Sequence, residues 1–205
     1  MRVGDKGGVT INAAIPEEGR RRFALAHEPG HWLLHADRTQ RFLCWQENLR
    51  DYDGSAEDIE ANAFAAALLL PRPMMFPAHL AALPSLGLIA AIAARFHVTL
   101  MAAALRYVST LEKPVMVVFS REGKIAWWRR NDDQMKGLYG EKAQALSPRS
   151  LASAVAETGQ PSGDMQPVEW DVWFPHLAPR SGRTLHEQSV RLEHAPIVMT
   201  LWWAK

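Results

Sequence analysis

The chain has 205 residues, with 23 Lys and Arg against 22 Asp and Glu, for a net charge of +1. That length can bury a core in one large domain or two small ones. A charge so near zero gives no electrostatic reason to expect a nucleic-acid or membrane partner. The short basic run Arg20-Arg21-Arg22 does not change this. A single cysteine, Cys44, excludes an intramolecular disulfide, fits a reducing compartment, and is read as a packing residue. Residues 1–8 are polar and Gly-rich, unlike a secretory signal. The longest apolar stretch, 80–94, contains Pro84, ends at Arg95, and is too short and broken to span a bilayer. A cytoplasmic location is the expectation.

In chain order, residues 9–15 alternate weakly and predict a short strand. Pro16-Glu17-Glu18 then looks like a helix start, with Pro leading and acids in the first turn. The helix is expected to reach about His35. Residues 36–54 read as a loop. Ser55 with Asp58 resembles a capping box, although Asp stands where Glu or Gln is usual. An Ala/Leu-rich helix is predicted over 56–70, stopped by Pro71 and Pro73. Two further helices, 85–96 and 99–111, are separated by a tight connection at Phe96-His97-Val98.

After Lys113-Pro114 the composition changes. Segments 115–119, 124–129, 168–174, 185–192 and 197–203 are rich in Val, Trp and Phe and predict strands. Arg121-Glu122-Gly123 reads as a hairpin turn, and 147–157 as a helix stopped by Gly159. The fold class is therefore α+β. A mostly helical domain with a short edge sheet occupies 1–112, and an antiparallel-sheet α+β domain occupies 113–205. No internal repeat or low-complexity tract is present.

His27-Glu28-Pro29-Gly30-His31 carries the chemistry. Histidines four apart on a helix share one face and can hold one ion, which makes zinc the expected metal. Glu28, beside the first ligand, would polarise water rather than bind the metal. Phe23, Leu25, Leu33 and Leu34 read as the apolar members of this amphipathic helix. His35 is excluded as a third ligand, since eight helical residues rise about 12 Å. It reads as a capping residue or as a group supporting a ligand from behind. Glu57 and Glu60, near one another on the second helix, are the candidates. Glu60 is favoured, because it lies in an otherwise apolar run where a lone carboxylate would be costly. Asn62 is expected to bond backbone or groups behind the ligands, and Phe64 to pack beneath the site.

The segment Arg22-Phe23-Ala24-Leu25-Ala26-His27-Glu28-Pro29-Gly30-His31-Trp32-Leu33-Leu34-His35 resembles the signature helix of the ImmA/IrrE family of metallopeptidases. Glu60-Ala61-Asn62-Ala63-Phe64-Ala65-Ala66-Ala67-Leu68-Leu69-Leu70-Pro71 resembles that family's second signature, and 90–99 its helix-turn-helix-like segment. The resemblance covers about residues 20 to 110. It implies that His27, His31 and Glu60 are zinc ligands and Glu28 the catalytic base. It further implies a zinc-dependent endopeptidase, in which a zinc-bound water attacks a protein partner such as an Xre-type repressor, in stress response or transcription regulation. In the radiation-response branch the C-terminal domain resembles GAF sensor domains.

Pro29 departs from the family pattern, which has an ordinary helix former there. Inside a helix it removes one hydrogen bond and crowds the carbonyl of Leu25, at about 3 kcal/mol. The helix is expected to kink or to start later. This motivates two alternatives, a catalytically impaired metal-binding regulator (a pseudopeptidase) and a DNA-binding transcriptional regulator. For the latter, residues 99–111 offer mainly Thr99, Arg106 and Ser109 to a base edge, so the segment reads as a packing element. His79 and His97 are candidate oxyanion stabilisers, though surface or core histidines are commoner. Trp127-Trp128 and Trp202-Trp203 must each point to opposite faces of a strand.

Overall fold

The computed structural model describes residues 2–3, 6–35, 55–75, 82–131, 135, 141–175 and 184–205. The expected loop at 36–54, with Cys44, and His79 lie outside these residues. Contacts divide the chain into two compact units, one of 1–77 with 93–102 and the other of 78–92 with 103–205. The fold is α+β, with a helical N-terminal region and a five-stranded antiparallel sheet.

In the first unit, strands β1 (Arg2–Val3) and β2 (Lys6–Gly7) form a small antiparallel pair. The strand expected over 9–15 does not form. Asn12 instead organises a turn, its side-chain Oδ1 accepting from the Ala14 amide at 2.9 Å and its carbonyl from Ile15 at 3.2 Å. Local side-chain bonding of this kind competes with a ladder.

Helix α1 (Glu18–Leu34) runs without a break through Pro29. The expectation of a later start is not met. Leu25, whose carbonyl loses its partner to Pro29, is an exposed position where water can serve as donor. The buried face also differs from expectation. Leu25, Leu33 and Leu34 are exposed, and Ala26, His27, Gly30 and His31 are buried. The reason is close helix packing. A Cβ on Gly30 would lie 3.0 Å from Ala61 Cα and 3.2 Å from Ala61 O. Only small residues admit α2 (Ala56–Leu69) at that distance. Ser55 caps α2, and both halves of the capping box are made with Asp58. Helix α2 ends before Pro71, and Pro73 then lies within the single turn α3 (Arg72–Met75).

Helices α4 (Leu86–Phe96) and α5 (Leu100–Thr110) follow, joined through His97 at φ 51. Along α5, Ala103, Ala104, Leu105, Tyr107, Val108 and Thr110 are buried.

In the second unit, β3 (Val115–Arg121) and β4 (Lys124–Arg130) form the expected hairpin. Its two loop residues, Glu122 (φ 52) and Gly123 (φ 71), have the positive φ values of a tight hairpin turn. The sheet order is β4-β3-β7-β6-β5, with β5 at Gln166–Val168, β6 at Leu185–Arg191 and β7 at Ile197–Ala204. Strand β7 is central and buried along its whole length. One sheet face, carrying Met116, Val118, Val198, Trp202 and Ala204, shares a core with α6 (Leu151–Thr158) and α7 (Trp170–Trp173). The other carries Phe119, stacked on Trp127 with ring centroids 3.9 Å apart, and Trp203, stacked on His186 at 5.4 Å. The tryptophan pairs therefore split between faces as alternation requires.

The strand expected over 168–174 is corrected. It stops at Val168, and residues 170–173 form a helical turn. Three-residue spacing turns Trp170 and Trp173 to the same core, where Trp173 meets Trp202 edge-on at 4.3 Å. Their β-propensity yields to that packing. Among the described residues, no single helix is long and apolar enough to cross a membrane.

Candidate metal centre

Helix α1 projects His27 and His31 from consecutive turns, His35 follows at its C-cap, and each is 1% exposed. Helix α2, brought close by Gly30 and Ala61, presents Asp58 and Asn62 to them. These two are four apart and so share one face.

The Nε2 atoms of His27 and His31 are 2.9 Å apart. Asp58 Oδ1 lies 3.3 Å from His31 Nε2 and 3.7 Å from His27 Nε2. The second oxygen of Asp58 points the other way, to Ser55 N at 3.3 Å and Ser55 Oγ at 3.1 Å. One carboxylate therefore serves both the capping box and the histidine cluster. Tetrahedral zinc with bonds of about 2.0–2.1 Å separates its ligand atoms by about 3.3 Å. The three donor atoms match that spacing, and two imidazoles with a carboxylate suit zinc chemically.

Hydrogen bonds set which ring nitrogens face the cluster. Asn62 Oδ1 lies 3.0 Å from His27 Nδ1. With an amide oxygen there, Nδ1 carries the proton and Nε2 is bare. On the far side, His31 Nδ1 is 3.2 Å from His35 Nδ1, and His35 Nε2 is 2.8 Å from Glu60 Oε2.

Burial pushes the His27 imidazolium down to about 4, helped by the neighbouring His31 and opposed by Asp58. Burial also lowers His31, against the pull of Asp58 and Glu28. Both rings are thus neutral near pH 7, the form that binds a metal.

The structure places Glu60 away from the expected site. Its side chain is 58% exposed and reaches His35, while Asp58 stands beside His27 and His31. Positions 58 and 60 are about 200° apart around a helix of 3.6 residues per turn, so their side chains leave the helix in nearly opposite directions. Sequence reasoning assigned Asp58 only to the cap. The missed signal was Asp in place of Glu or Gln, with Asn62 one turn on along the same face. Glu28 is partly buried and acts electrostatically on His31. His35 is the C-cap residue of α1, its amide donating to His31 O at 2.9 Å. Phe64 is half-buried, and His97 is exposed in the turn before α5.

Two histidines one turn apart on one helix and an acid on the next define the site type of the zincin-like metallohydrolases. The chain matches the family model of the IrrE N-terminal-like domain over residues 5–107 and belongs to that peptidase family. A metallopeptidase-like or regulatory function follows at that level. The chain is also similar in fold to a Mycobacterium tuberculosis transcriptional regulator, with a TM-score of 0.53 and 18% identity. That match covers 93% of this chain and 58% of the regulator, so the chain spans less than two thirds of its length. No curated protein matches the sequence.

Proposed function

We propose that this protein is a zinc-dependent peptidase acting on a protein partner, an Xre-type repressor being the partner its family resemblance favours. The observation carrying this reading is the convergence of His27 Nε2, His31 Nε2 and Asp58 Oδ1 inside a unit that matches a peptidase family. These three atoms would hold the ion. Zinc there would supply Lewis acidity toward a peptide carbonyl and make an adjacent water easier to deprotonate.

The remaining steps belong to the chain. Glu28 takes a proton from the attacking water on its carboxylate and passes it to the leaving amine. His27 and His31, buried and neutral, add no positive charge to compete with the ion. Helix α1 is continuous from His27 through Pro29 to His31, which supports a competent site despite the proline.

The test pairs metal content with cleavage. Zinc-loaded protein is incubated with candidate Xre-type repressors, with and without chelator. Cleavage is expected, and is expected to vanish on chelation and in Glu28→Gln. Cleavage that survives both would overturn the peptidase assignment. Undiminished zinc binding in Asp58→Ala would overturn the ligand set.

A further inference from the structure

We draw no further inference here: the strongest candidate, the polar strip of Ser120, Ser189, Thr200 and Glu187 buried on the inner sheet face of the second unit, carries nothing, because Ser189, Thr200 and Glu187 already hold protein partners and nothing in the structure shows what would meet the Ser120 hydroxyl.

Discussion

Asn62 Oδ1 sits 3.0 Å from His27 Nδ1 and fixes that ring with its other nitrogen toward Asp58. Asn62 is 3% exposed, so its amide has exchanged water for this bond. Asn62→Ala should lower zinc affinity about tenfold or more, the usual cost of losing a group that orients a ligand. Asn62→Asp, which keeps an acceptor and adds charge, should retain affinity. Chelator competition measures both. An alanine variant that binds zinc as tightly as wild type would show that the bond does not orient the ligand.

Gly30 sets the distance between the two helices. An added Cβ would press on Ala61 backbone, which cannot swing aside as a side-chain tip could. Alanine is intrinsically better in a helix by about 1 kcal/mol, but overpacking costs about 1–3 kcal/mol. Gly30→Ala is therefore expected to destabilise on balance and to weaken zinc binding, because Asp58 and Asn62 ride on the displaced helix. Urea midpoints and zinc competition should fall together. A more stable variant with intact zinc affinity would contradict this account.

In the second unit, Glu187 on β6 is 1% exposed and accepts from the Leu151 amide at the start of α6 and from the Trp173 indole. It joins sheet, helix and turn. Glu187→Ala would strand the buried Trp173 indole N–H, at about 1–3 kcal/mol, and leave the part-buried Leu151 amide without this acceptor. Burial raises its carboxyl above 4.5, against the pull of those two donors. The folded state therefore holds this proton where the unfolded chain has released it. The stabilising contribution is fully present below pH 4.5 and is lost as pH rises through the folded value. Glu187→Gln should remove that dependence, visible as a pH-dependent difference in urea midpoint between wild type and variant.

His27 produces the opposite slope in the metal-free protein. Its folded value near 4 lies below its ordinary 6.5. The unfolded chain therefore binds a proton that the folded state refuses. Stability should fall as pH drops from about 6.5 toward 4, by up to about 3 kcal/mol from this group. Denaturation of chelated protein across that window tests it, with His27→Gln as control. A flat difference between the two would show that His27 does not titrate as its burial implies.

The amino-acid sequence by itself determined the α+β class, the helix carrying His27, Glu28 and His31, the capped second helix, and the Glu122-Gly123 hairpin. Each of these is written in local terms: four-residue spacing, cap chemistry at Ser55, alternation along a strand, and a glycine where φ is positive. The tertiary structure decided what lies opposite what. Exposed Leu25 and Leu33 looked like core because helical periodicity reports that a face is apolar, not which neighbour it meets. The small residues Ala26, Gly30 and Ala61 form the contact instead, since only they permit so close an approach. That approach selects Asp58 over Glu60, for two residues of helix turn a side chain through about 200°. Composition could place an acid on the second helix. Only packing could say which acid faces the two histidines and which reaches His35 behind them.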